Sequence, residues 1–397
     1  MSTSWTPLLS GALRDRALAT VEALLGEVLA TPREGLSAGL LEGHAGQALF
    51  FDMAARAMDP RLLEQVGVSL ERAVESFSRS RPSGPGLHAG GLTDIAWVAA
   101  HLATHHPGLD VEEVCSAADE ALEEALRQSP WPFPCDLRDG LAGIGLYALE
   151  RLPHPSGRRL LERVVAKLEE TARPLEEGLS WPMPQRFWAL HGQEATFPRG
   201  LYTLGVAHGV PPALAILAAA HALGVERERA HVLLEKGFRW VETLASPEGH
   251  PRFPLYLHGS EPFPDPHGRF SWCAGNPGIT AVLAWAAQRW GDPAWRARTL
   301  GWASEVAREA LERPAPHNSN LCCGAAGTAH LFHRLFRATG LPVFEEAAVR
   351  WLQHTLALPP PTGANLQFGA AGTALALMAA TSELEPEWDS AFLFSLP

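Results

Sequence analysis

The sequence predicts an all-α fold, an α/α toroid: a closed ring of about seven helical hairpins with inner and outer helices. Three observations carry this. A glycine-rich tetrapeptide recurs seven times along the 397 residues, counting two degenerate copies. Each copy opens a strongly apolar segment, and amphipathic segments at helical spacing fill the intervals. No alternating strand pattern competes.

The clear copies are Gly43-His-Ala-Gly46, Gly140-Leu-Ala-Gly143, Gly275-Asn-Pro-Gly278, Gly324-Ala-Ala-Gly327 and Gly369-Ala-Ala-Gly372. Gly91-Leu-Thr-Asp94 and Gly209-Val-Pro-Pro212 are degenerate. From first glycine to first glycine the steps are 48, 49, 69, 66, 49 and 45 residues. About 45 residues hold one buried helix, one half-exposed helix and short loops. In chain order, Val111–Arg127 is amphipathic, with Val111, Val114, Cys115, Ala118, Leu122, Ala125 and Leu126 on one face. Ile144–Leu152 is apolar nearly all round, so protein must surround it. The alternation continues through Arg158–Thr171 (amphipathic), Ala213–Leu223 (apolar), Glu226–Leu244, Ile279–Trp290, Trp295–Leu311, Thr328–Phe336, Phe344–Leu356 and Thr373–Ala380. Inner helices this apolar cannot line a solvated concave face, which favours a closed ring over an open solenoid. The glycines then allow close approach and tight turning where the ring narrows. The two long steps carry Pro- and aromatic-rich insertions near 181–201 and 251–272, expected to build the binding face of a single domain spanning 1–397.

Composition narrows the function. The chain is 46% hydrophobic and 19% charged, which excludes a disordered polymer, and its net charge of −12 argues against a nucleic-acid binder. Only Lys167 and Lys236 are lysines; arginine, alanine, proline and glycine abound, so an isolated arginine carries less meaning here. The start lacks the pattern of a signal peptide. The uncharged stretch Gly200–Val225 is broken by His208, Pro211, Pro212 and His221, so no membrane span is expected. Five cysteines are no disulfide framework, and a cytoplasmic location is expected.

The polar candidates share one register. Cys273 lies two residues before Gly275; Cys322 and Cys323 lie two and one before Gly324; His208 lies one before Gly209. Asp136 lies four before Gly140, and Arg269 six before Gly275. In a ring, such offsets gather side chains at one end around the axis, where inner helices begin and their dipoles favour thiolates and anions. Three converging cysteines suit Zn²⁺, with a fourth tetrahedral position open. Without the register, buried apolar cysteines would be the better reading; with it, metal is. Cys115 reads as core and Cys135 as structural. His44, His88, His330 and His333 read as structural histidines, His88 least securely, while His258 and His267 could face the pocket.

The stretches Ser271-Trp-Cys-Ala-Gly-Asn-Pro-Gly278, Leu321-Cys-Cys-Gly-Ala-Ala-Gly327, Val206-Ala-His-Gly-Val-Pro211 and Asp136-Leu-Arg-Asp-Gly-Leu-Ala-Gly143 resemble the LanC-like lanthipeptide cyclases, the lanthionine synthetase C-like family. The resemblance covers the whole chain. It implies a toroid with catalytic zinc that adds peptide cysteine thiols to dehydroalanine or dehydrobutyrine, closing thioether rings. By this resemblance Cys273 matches the zinc cysteine of W-C-x-G, and Cys322 that of C-H-G. Cys323 replaces the histidine, as in the C-C-G version. His208 matches the A-H-G histidine, Asp136 the aspartate before G-L-[SA]-G, and Arg269 an arginine four before the first zinc cysteine. The usual tyrosine after that cysteine is Ala274 here. The implied roles are proton transfer for His208, its orientation for Asp136, and oxyanion stabilisation for Arg269. A dehydrated precursor peptide is the implied substrate and a dehydratase the implied partner. Two rivals remain: a zinc-bearing relative that binds thiols or glutathione, or regulates, and a carbohydrate-active enzyme on the same toroid.

Overall fold

The computed structural model describes residues 5–152, 154–188, 197–246, 252–263 and 269–396. Among these, fourteen α-helices alternate outer and inner in chain order. They are α1 (Gly11–Ala30) and α2 (His44–Ala57), α3 (Leu63–Phe77) and α4 (Leu92–His105), α5 (Glu112–Ala125) and α6 (Leu141–Glu150). There follow α7 (Pro155–Thr171) and α8 (Val210–Ala222), α9 (Arg227–Leu244) and α10 (Asn276–Trp290), α11 (Pro293–Glu312) and α12 (Ala325–Thr339), α13 (Pro342–Ala357) and α14 (Ala370–Thr381). Each even-numbered helix packs on the next even one, and α14 returns to α2 while α1 covers α14, so the ring is closed. Trp5 Nε1 donates to Ala379 O at 2.9 Å and Leu8 N to Ala380 O at 2.9 Å across this seam. The inner helices are buried almost completely, as in Val210–Ala220 of α8 and all of α14. The outer helices bury one stripe, such as Cys115, Ala118, Asp119 and Leu122 of α5.

Inner helices begin about three residues earlier than their apolar runs suggest, because the glycine tetrapeptide is itself their first turn. The first glycine of every copy is the N-cap. The preceding loop folds back over that turn: Leu141 N donates to Pro134 O (3.2 Å), and Ala325 N to Asn318 O (3.1 Å). A Cβ on Gly140 would stand 1.8 Å from Pro134 O, and one on Gly327 1.8 Å from Leu321 O. The glycines are therefore required chiefly by their own loop. The same wrapping revises the expected role of helix dipoles, because these first-turn N–H groups are already bonded to loop carbonyls rather than directed at a ligand.

A few short strands accompany the helices. A hairpin pairs β1 (Arg173–Leu175) with β2 (Gly178–Ser180), and a small antiparallel sheet pairs β3 (Leu201–Thr203) with β4 (Tyr256–His258) and β4 with β5 (Glu261–Pro262). Strands of two or three residues are too short to show alternation. They lie in or beside the two insertions, parts of which, with His267, fall outside the described residues.

The loops before the inner helices are stitched into a second, smaller ring. In five of the seven repeats the residue two before the first glycine donates its N–H to the equivalent carbonyl of the next repeat: Arg138 to Ala207 (3.1 Å), Ala207 to Cys273 (3.1 Å), Cys273 to Cys322 (3.3 Å), Cys322 to Gln367 (3.1 Å) and Gln367 to Leu41 (3.1 Å). His88 N continues to Arg138 O at 3.3 Å. Between the first two repeats a side chain closes the gap. Asp94, which replaces the second glycine of its copy, accepts from Leu40 N at 2.8 Å. The axis below is filled by the C-terminal segment, where Trp388, Phe392, Leu393 and Phe394 are buried. Its carbonyls meet Trp272 Nε1 (Phe392 O, 2.7 Å) and His88 Nε2 (Ala391 O, 2.9 Å).

Candidate functional site

The stitched loops place the polar candidates together at one mouth of the ring. His208 follows β3 in a tight turn, where Thr203 Oγ1 donates to its carbonyl. Its Nδ1 lies 3.2 Å from Asp136 Oδ2 and 3.5 Å from Asp139 Oδ2. Asp139 N donates to Asp136 Oδ1 at 2.8 Å, and Ser83 Oγ donates to Asp139. The His208 side chain keeps 28% exposure while that of Asp136 keeps 2%, so the imidazole is the member of the pair that solvent reaches. Burial alone would lower the His208 pKa, but the hydrogen bond to Asp136 and the charges of Asp136 and Asp139 outweigh it and hold it above its usual value. Asp139 is likewise pushed upward, by burial and by the Asp136 charge, which for a carboxyl favours the neutral form.

Across the mouth, the Cys322 thiol hydrogen-bonds both Cys273 and Cys323. That contact, with Ser271 Oγ 3.8 Å from Cys273 Sγ, favours thiolate on Cys273. Cys323, bonded by Cys322, Asn320 and Asn318, falls to about 6. Cys322 itself is raised by facing these two sulfurs, and Gln367 Nε2 stands 3.8 Å from its Sγ. Three neighbouring sulfurs, two of them disposed to ionise and flanked by amide and hydroxyl donors, form a donor set that fits zinc. The described residues also bring together Asp136, Asp139 and His208, whose ligand atoms lie within 4.8 Å of one another; the three sulfurs are not gathered that tightly.

Arg269 is exposed, and its charge bears on Cys323 and on Tyr256 of β4. Tyr256 is a residue that sequence reasoning missed. Burial raises its pKa, opposed by Arg269 and reinforced by Cys273, so its phenol stands on the cysteine side of the mouth. The neighbour of Cys273 in the chain is Ala274, yet the second insertion brings a phenol there from another element. Asn318, Asn320 and Ser83 were also missed; nothing in their spacing distinguishes them. Arg138 was missed despite sharing the offset of Cys273 and Cys322.

The remaining candidates are structural. Cys115 is buried with its thiol pushed up to about 11, and burial pushes Cys135 up as well. Burial lowers His88 to about 3, keeping it neutral against Ala391. His330 bonds Asp389, His333 packs on Trp5, and His44 is buried. His258 accepts from Arg199 N (3.4 Å) and packs on Phe197 rather than meeting the cysteines. A cavity of about 560 Å³ between α8, α10, α12 and the C-terminal segment lies at the other end of the inner helices, lined by Trp285, Arg289 and Arg337, and touches none of these groups. No described helix is long and apolar enough to cross a membrane.

Among solved structures, nisin cyclase superposes with a TM-score of 0.71 at 15% identity, over 96% of this chain and 97% of that one. An unsaturated glucuronyl hydrolase from Streptococcus agalactiae reaches 0.53 at 9% identity, over 97% and 99%. At these identities both likenesses show the fold. No curated protein matches the chain in sequence. The sequence profile described as "Lanthionine synthetase C-like protein" matches residues 35–393, most of the ring and every candidate side chain, and so this chain belongs to the lanthionine synthetase C-like family.

Proposed function

We propose that the protein is a zinc-dependent lanthipeptide cyclase, which adds cysteine thiols of a dehydrated precursor peptide to dehydroalanine or dehydrobutyrine to form (methyl)lanthionine rings. The observation that carries this is the His208–Asp136 pair set in the same loop ring as Cys273 and Cys322. Cys273, Cys322 and Cys323 would hold the zinc, which would supply Lewis acidity that lowers the pKa of an incoming thiol. Asp136 engages Nδ1 of His208 and fixes the ring, so proton exchange runs through Nε2. Addition of sulfur to the β-carbon leaves an enolate, which His208 protonates at the α-carbon. Arg269 stabilises the enolate oxygen. A dehydratase must supply the substrate, and the whole chain acts as one domain.

The carbohydrate reading fares worse. Glycosidase carboxylates stand roughly 5 Å or more apart to flank a sugar, whereas Asp136 and Asp139 sit side by side on one histidine, within 4.8 Å. A second metal reading, with the ion on Asp136, Asp139 and His208, has their convergence in its favour. Metal analysis of Cys322→Ala and Asp136→Asn separates the two, since only the variant that removes a ligand loses zinc. The function itself is tested by mass spectrometry of a dehydrated peptide after thiol alkylation. Thiols protected from alkylation only when the protein is present support the cyclase; alkylation of every thiol overturns it.

A further inference from the structure

We infer that Arg138 is a second oxyanion-binding residue, holding the carbonyl oxygen of the dehydro residue on the His208 side of the mouth; the inference rests on the cyclase reading above. Arg138 occupies the same place in its repeat as Cys273 and Cys322, two residues before the N-cap glycine. Its backbone is a link of the stitched loop ring, one step from Ala207 and two from Cys273. Three of the seven equivalent positions thus carry chemically active side chains, and the only cation among them is Arg138.

The guanidinium is half-buried, and it makes no hydrogen bond or ion pair with the described residues. Its charge nevertheless bears on His88, Asp94, Asp139 and His208, groups contributed by three successive repeats. It therefore lies within electrostatic reach of the proton-transfer pair. Asp139 lies next to it in sequence yet bonds Ser83 and faces His208 instead. A half-buried cation with no partner among the described residues, in a chain of net charge −12, is suited to an anionic oxygen brought by substrate.

The chemistry requires such an oxygen. The peptide thiolate forms a bond to the β-carbon, the π electrons of the carbon–carbon double bond move toward the carbonyl, and negative charge collects on its oxygen. Protonation of the α-carbon by His208 returns those electrons and restores the amide; nothing is oxidised or reduced. For His208 to reach the α-carbon, the adjacent carbonyl must be anchored on the same flank. Arg269 approaches from the cysteine side and Arg138 from the histidine side, so one oxygen receives two donors, as oxyanion sites commonly provide.

The test compares wild type, Arg138→Gln, Arg138→Lys, Arg269→Gln and the double Gln variant on one dehydrated peptide, with zinc content and thermal melting measured alongside. Arg138→Gln is expected to keep zinc and fold and to lose roughly 10²-fold in kcat with little change in KM. Arg138→Lys should recover part of that loss. Because both arginines serve one oxygen, the double variant should lose less than the product of the single losses. Arg138→Gln within twofold of wild type overturns the inference, as does a change in KM alone or strictly multiplicative losses. If both Arg138 variants lose zinc or melt early, Arg138 is a structural residue and the inference fails. Wild type that leaves all thiols open overturns the cyclase reading itself, and Arg138 with it; cyclisation by wild type and Arg138→Gln alike overturns Arg138 only.

Discussion

At the scale of single residues, the proposed chemistry separates side chains that hold metal from those that move protons. Cys322 touches both other thiols, so Cys322→Ala should strip most zinc from the purified protein, read by metal analysis. His208→Ala should retain zinc and lose roughly 10²–10⁴ in cyclisation rate. Asp136→Asn removes the hydrogen bond and charge that hold the His208 pKa up. If protonated His208 is the acid, the folded-state pKa drops and the alkaline limb of the rate profile moves to lower pH; an unmoved limb would deny Asp136 that role. That Cys273, Cys322, Cys323, His208, Asp136 and Arg269 gather at one mouth was legible because a repeat gives sequence offset a spatial meaning. Tyr256 was illegible because it reaches the mouth by pairing β4 with β3, across the interval from Thr203 to Tyr256, and no local pattern encodes that.

At the scale of elements, the fold depends on loops wrapped tightly over the first turns of the inner helices. Gly327→Ala would drive a Cβ to 1.8 Å from Leu321 O, backbone that cannot step aside. Its expected cost is about 3 kcal/mol or more, with loss of the Cys322 loop's geometry. Gly301, in the exposed middle of α11, meets nothing within 4 Å. Gly301→Ala should therefore stabilise by roughly 0.5–1 kcal/mol through better helix propensity. Chemical denaturation of both variants checks the pair, and equal effects would refute the wrapping argument. The ten helices foreseen from periodicity are all present. The five inner ones start about a turn before their apolar runs, because the glycine tetrapeptide at their start is itself the first turn, and its carbonyl partners were invisible without the fold.

At the scale of the whole molecule, closure of the loop ring rests at one seam on a carboxyl. Burial pushes Asp94 up to about 7, although Leu40, Gly91 and Gly90 bond it through their N–H groups. Its folded pKa lies above the ordinary value near 4, so the stability it provides is full below about pH 4, drains as pH rises from about 4 to about 7, and changes no further above that. The melting temperature of wild type relative to Asp94→Asn should fall between about pH 4 and about pH 7 and level off above; a constant difference across that range would mean that the fold does not raise this carboxyl. The degenerate copy Gly91-Leu-Thr-Asp94, which weakened the repeat as a sequence pattern, is thus where the ring is fastened. The C-terminal segment that fills the axis has a consequence for how the molecule comes into being. Trp5 waits for a partner 374 residues downstream, and the floor under Trp272 and His88 arrives only with Ala391 and Phe392. Any folding intermediate in which the Trp388–Phe394 segment is undocked therefore leaves Trp272 and His88 without their floor, and with Trp272 the loop that carries Cys273.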